Sequence, residues 1–134
     1  MNMKDERQFV GYSKYRSRLV DGHVHTELCP HGSGDRTAMM IEKAIELRIE
    51  KVCLTEHAPL PTAFAAEYGG DKKAYDTASL KLNEVDTYLE LGRQLQRAYG
   101  THIDISLGFE VDYIPGFESD IQEFLDRYGP LTDD

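Results

Sequence analysis

Three times along the chain a short segment of strand character is followed by apolar residues at helical spacing, and this alternation restricts the fold more than any other feature. The cleanest strand signal is residues 102–111 (HIDISLGFEV). Ile103, Ile105, Leu107 and Phe109 fall on one side, and Asp104, Ser106, Gly108 and Glu110 on the other. Residues 18–25 (RLVDGHVH) read as an earlier strand ending at its histidines. Residues 51–55 (KVCLT) read as a middle strand whose unbroken apolar centre predicts burial on both faces, as in parallel sheets.

Helical stripes separate these strands. Ala38, Ile41, Ile45 and Ile49 predict a helix running to about Glu50, with Ser33 or Asp35 capping its start. Leu82, Val85, Leu89, Leu95 and Tyr99 predict a second helix beginning near Thr77, with Gly100 in the left-handed position of a C-terminal cap. Ile121, Phe124, Leu125 and Tyr128 form a last stripe, closed by Gly129 and Pro130. Residues 57–76 carry two prolines and paired glycines without a sustained period, which predicts a long loop of the kind found over sites. The right-handed crossover rule turns this order into neighbouring parallel strands with helices outside, an α/β fold with three βα units. Three parallel strands cannot close a barrel. The expected organisation is therefore a polar arm over residues 1–18 and part of a larger domain over residues 19–134, whose open sheet edges predict self-association.

The polar residues at the strand ends carry the chemistry. DGHVHTELCPHGSGD, residues 21–35, holds three of the five histidines within nine positions. Imidazole is the commonest metal ligand among side chains, and residues two apart on a strand point to one side. His23 and His25 lie at the end of the first strand, His57 just past the second and Glu110 at the end of the third. His31 is close enough in the following loop to fold over the same edge. In parallel α/β folds that edge gathers loops and ligands. A lone strand-end histidine is more often a hydrogen-bonded surface residue, but the His-x-His pair followed by Pro-His-Gly-Ser predicts a metal site, with Glu110 able to offer its two oxygens to two cations. His102 falls near the opposite end of the third strand and reads as structural. Cys29 reads as a packed thiol beside the cluster, Cys53 as part of a buried strand. Asp21 and Glu56 neighbour ligand candidates, where orienting, turn and surface roles all stay open. Arg36, Lys72 and Lys73 stand where a phosphate could approach, although exposed cations are usually solvated.

Composition narrows the classes. A chain of 134 residues with 40% hydrophobic residues and no long apolar run predicts a soluble globular domain without a membrane span or secretory signal, hence a cytoplasmic location. Two cysteines are too few for a disulfide framework. A net charge of −9 disfavours contact with nucleic acid and points to a small-molecule partner.

DGHVH, CPHGS, TEHAPLP and GFEVDY, in this order and in a βα frame, resemble the N-terminal half of the histidinol-phosphate phosphatases of the polymerase-and-histidinol-phosphatase (PHP) superfamily. The resemblance runs from about Leu19 onward. His-x-His alone is shared across the superfamily; CPHGS and TEHAPLP narrow the choice. The resemblance implies the N-terminal part of a distorted (βα)7 TIM-like barrel with up to three divalent transition metals, Zn, Mn or Fe, at its rim. His23 and His25 would bind the first, Glu110 would bridge the first and second, and His31 with His57 would bind the third. Further histidines and an Asp-x-His element of the family lie in a C-terminal half that this sequence does not contain. The implied reaction is hydrolysis of L-histidinol phosphate, a phosphate monoester, to L-histidinol and phosphate in histidine biosynthesis. The sequence presents neither a Gly-rich P-loop nor a Ser-His-Asp order, so no catalytic side chain is assigned and hydroxide formed from metal-bound water is the expected attacking group. The alternatives are a PHP phosphoesterase of other substrate range and a non-enzymatic metal-binding module.

Overall fold

The computed structural model of the chain describes residues 19–67 and 72–133. The polar arm predicted for residues 1–18 lies outside them, as do the side chains of Lys72 and Lys73. The elements in chain order are β1 (Val20–Val24), α1 (Thr37–Glu46), β2 (Lys51–His57), a 3-10 turn (Thr62–Glu67), α2 (Lys72–Asp76), a 3-10 turn (Leu82–Glu84), α3 (Val85–Tyr99), β3 (Asp104–Glu110), α4 (Glu118–Tyr128) and a last 3-10 turn (Gly129–Leu131). The three strands are parallel in the order β1-β2-β3, as the alternation predicts.

Register divides the sheet into two faces. Val24 pairs with Leu54 and Leu54 with Leu107, and these three point into the core, where Ile41, Tyr88 and Leu95 pack. The opposite face carries Cys53, Thr55 and His57 of β2 and their partners Ser106, Gly108 and Glu110 of β3. The expected burial of both faces is therefore corrected for β2. Val52, Leu54 and Glu56 are buried, while Lys51, Cys53, Thr55 and His57 are half-buried, because the helices cover one side.

Helix ends differ from the sequence reading for local reasons. Neither Ser33 nor Asp35 caps α1. The backbone N–H and hydroxyl of Thr37 both donate to the Glu27 carboxylate, at 2.8 Å for the N–H, so the cap comes from ten residues upstream. Helix α1 also stops short of Glu50. Arg48 adopts φ 61°, and the bonds Arg48 N–H to Ile45 O and Ile49 N–H to Ala44 O form a Schellman ending without glycine. Helix α3 begins at Val85, not Thr77, after a turn in which Glu84 accepts from the Lys81 N–H at 2.8 Å. Gly100 has φ −62°, so the predicted left-handed cap is absent there. The predicted loop holds a 3-10 turn and the short α2. In α4, Tyr128 is buried and Ile121 and Phe124 are half-buried, but Leu125 is exposed. Phe124 stacks edge-on against Phe109 at 5.1 Å, which aims the helix's contact at β3 and turns Leu125 away.

Two interactions hold the end of the sheet that carries the histidines. The Tyr88 hydroxyl reaches from α3, donating to Gly108 O at 2.6 Å and accepting from the Glu56 N–H at 3.3 Å. Burial pushes the Tyr88 phenol well above its ordinary range. Past α4 the chain returns to the sheet. Asp133 N–H donates to Leu107 O at 2.8 Å, and the Asp133 carboxylate accepts from Leu107 N–H, Gln96 and Arg93. Among the described residues, no helix is long and apolar enough to cross a membrane.

Candidate metal centre

The site forms where three strands end on the sheet face opposite the core. Strand β1 does not run in simple register. Asp21 pairs with Val52 but Val24 with Leu54, so one extra residue of β1 is accommodated between them. Such bulges re-aim side chains near sites. Here the nitrogens His23 Nε2 and His25 Nε2 come within 3.1 Å of each other. His57 and Glu110 are register partners at the ends of β2 and β3. After β1 the chain folds back through the bonds Cys29 N–H to Thr26 O and Gly32 N–H to Cys29 O. This places the His31 ring 5.2 Å from that of His57 and 6.2 Å from that of His25.

One carboxylate oxygen is the focus. Glu110 Oε2 lies 2.9 Å from His23 Nε2, 2.9 Å from His25 Nε2 and 3.5 Å from His57 Nδ1. Burial pushes the Glu110 carboxyl up, but the His25 hydrogen bond and the charges of His57, His23 and His25 together outweigh it and hold the group below its usual range. His57 Nδ1 is buried without a hydrogen-bond partner among the described residues. Each imidazole nitrogen has one in-plane N–H or lone pair and satisfies one neighbour, so protons alone do not satisfy this triangle of short contacts. A cation about 2.0–2.1 Å from N and O donors spaces them about 2.9 Å apart at octahedral angles and about 3.4 Å at tetrahedral ones. The donors present therefore fit a divalent ion. His57, Glu110 and Asp112 form a neighbouring group of the same kind, and His25, Cys29 and Glu56 another.

Behind the histidines sits a buried carboxylate. Glu56 is fully buried, and its Oε1 accepts from the Thr26 N–H at 2.6 Å and the Thr26 hydroxyl at 2.8 Å. These bonds fix the chain where β1 passes into the loop. A cleft of about 610 Å³ opens beside the cluster, with His31 and His57 in its wall together with Leu60, Phe64, Asp112 and Ile114.

All five ligand candidates come together here, and His102 lies exposed before β3, at the end away from them. A surface role for Glu56 is ruled out by its burial, whereas Asp21 is exposed and accepts a long 3.4 Å bond from the His23 N–H. Asp112 was not distinguishable in the sequence. Its only signal is its position two residues after Glu110, just past the strand.

Comparison with known proteins agrees with this geometry. The PHP domain family profile matches residues 21–131. A histidinol-phosphatase of Bacillus subtilis (strain 168) is 39% identical over 114 residues, covering 85% of this chain and 41% of that protein. A Deinococcus radiodurans protein named "Probable histidinol-phosphatase" is 26% identical over 110 residues, covering 82% of this chain and 38% of its own length. The crystal structure of hisK from Listeria monocytogenes, provisionally assigned as a histidinol phosphatase, superposes with a TM-score of 0.83 at 43% identity, over 86% of this chain and 42% of that one. The chain thus spans about two fifths of the length of the relatives it matches. The matched stretch takes in every residue of the cluster and the ends of all three strands, and the chain belongs to the PHP domain family.

Proposed function

We propose that this chain forms the N-terminal, metal-binding part, residues 19–134, of a phosphatase that hydrolyses L-histidinol phosphate to L-histidinol and phosphate in histidine biosynthesis. The observation that carries the reading is the convergence of His23, His25 and His57 on one oxygen of Glu110. His23 and His25 would hold a first ion, Glu110 would bridge to a second, and His31 with His57 would hold a third; Zn, Mn and Fe all suit imidazole and carboxylate donors. Bound there, such ions supply Lewis-acid stabilisation of phosphoryl charge and lower the pKa of water.

The chain's own residues do the rest. Glu56 and Thr26 fix the loop that carries His31. Leu60, Phe64 and Ile114 give the cleft an apolar wall that limits water and receives the organic part of a small phosphate monoester. The pairing of Asp133 with Leu107 at the β3 edge supports a continuing parallel sheet, as a (βα)7 barrel requires. Two free cysteines accord with a reducing cytoplasm.

The test is elemental analysis of the purified chain beside phosphate release from histidinol phosphate and a panel of other phosphoesters. Transition metal is expected at stoichiometric levels, and release is expected to be faster from a version of the relatives' full length. Absence of Zn, Mn, Fe and Co above background would sink the reading. Preference of the longer version for another phosphoester would assign the substrate differently.

A further inference from the structure

We propose that Cys29 is a positioning residue for the metal centre: its buried sulfur accepts the Nδ1–H of both His25 and His31 while its own S–H turns toward Glu56, which leaves Nε2 of each ring free to face a cation. The inference rests on the metal-centre reading above and adds to it a partner that sets the histidine tautomers.

The geometry is specific. Cys29 Sγ lies 3.5 Å from His25 Nδ1 and 3.7 Å from His31 Nδ1, both within reach for sulfur. The His25 ring presents its other nitrogen to Glu110 at 2.9 Å, so its two nitrogens are already divided between the sulfur and the ligand cluster. A histidine that ligates a metal donates its other ring N–H to an acceptor, and that bond fixes tautomer and ring orientation. At His25 and His31 the Nδ1 partner is the same sulfur.

A second, independent observation comes from Glu56. Its side chain is fully buried, Oε1 is taken by Thr26, and Oε2 has no hydrogen-bond partner among the described residues. A Glu56 carboxylate oxygen, Cys29 Sγ and a ring nitrogen of His25 lie within 4.8 Å of one another. A buried carboxylate oxygen without a donor is costly. The Cys29 thiol is a donor at hand, and a thiol is able to donate once while its sulfur accepts. A merely packed thiol would sit among apolar groups, whereas this one sits among two imidazole nitrogens and a carboxylate.

Two measurements on uniformly 15N-histidine-labelled protein decide the matter. In the metal-free protein kept with a chelator, long-range 1H–15N spectra are expected to show His25 and His31 protonated at Nδ1. Cys29→Ala is expected to move both toward Nε2–H, and Cys29→Ser, which keeps an acceptor, to retain the wild-type pattern. Zn2+ titration is expected to show an affinity about 10- to 100-fold weaker in Cys29→Ala, with partial rescue in Cys29→Ser. Wild-type rings protonated at Nε2, or unchanged tautomers and Zn2+ affinity in Cys29→Ala, would overturn the proposal. A thiolate-to-cobalt charge-transfer band in the Co2+-loaded wild type would also overturn it, by making Cys29 a ligand. If the wild type binds no metal, the metal-centre reading fails by itself, while the tautomer spectra still decide the role of Cys29.

Discussion

His25 and Glu110 stand 85 residues apart in the chain, yet His25 Nε2 lies 2.9 Å from Glu110 Oε2, the oxygen that His23 Nε2 also meets at 2.9 Å. Replacing Glu110 by Gln keeps the shape and removes the charge at the point of convergence. Metal affinity in Glu110→Gln is expected to fall by more than the roughly 10- to 100-fold that outer partners are worth. His102→Ala, a change at an exposed residue before β3, is expected to leave it unchanged. Metal titration of the two variants checks this, and equal losses would place the site elsewhere.

Tyr88 links two strands through one hydroxyl. In Tyr88→Phe the carbonyl of Gly108 and the N–H of Glu56 both lose that partner in a buried place. The expected loss is about 1–3 kcal/mol, read as a lower urea midpoint with an unchanged slope. A midpoint equal to wild type would mean that the hydroxyl contributes nothing there.

Gly92 lies in mid-helix, where alanine normally stabilises by about 1 kcal/mol. A Cβ at this position would stand 2.5 Å from Leu107 Cδ1, and Leu107 is fully buried. Overpacking of this kind costs about 1–3 kcal/mol, so Gly92→Ala is expected to lower stability. The penalty is expected to shrink in a Leu107→Val background, measured as a double-mutant cycle by chemical denaturation.

Arg48 occupies a left-handed position at φ 61°. Such a conformation costs a residue with a Cβ roughly 1 kcal/mol or more and costs glycine little. Arg48→Gly is therefore expected to raise the thermal midpoint. A fall would mean that the arginine side chain contributes more than the strain it bears.

Glu27 gives the fold a pH dependence. Burial pushes its carboxyl up, but the bonds from Thr37, its own backbone N–H and the nearby Arg36 charge outweigh that and hold it below its ordinary range. A depressed folded pKa means that the unfolded chain binds the proton more readily. The stabilisation is then present above the ordinary value of about 4.3 and is lost as pH falls through the folded value. Glu27→Gln is expected to be less stable than wild type at pH 7, by about 1 kcal/mol as for other caps, with the gap narrowing as pH falls below the ordinary carboxylate range. A gap independent of pH would show that the charge plays no part.

The strand-helix alternation, the parallel order and the five ligand candidates were all legible in the sequence. Period-2 and helical stripes are local consequences of which side of an element meets the core, and a His-x-His pair at a strand end is visible within three residues. Tertiary structure decided what joins distant segments. Cys29 and Glu56 read as a packed thiol and an undecided strand-end carboxylate, because nothing local indicates that one fully buried carboxylate holds Thr26 and approaches the sulfur facing two imidazoles. The cap of α1 was misplaced for the same reason, since Ser33 and Asp35 have the right chemistry and Glu27 wins only through the path of the loop. Gly92 likewise looks like a weak point of a helix until Leu107 of β3 is packed against it. Sequence determines which faces and strand ends are polar, because those depend on neighbours a few residues away; which of the polar groups touch depends on how separate βα units pack, and that is set by the whole core.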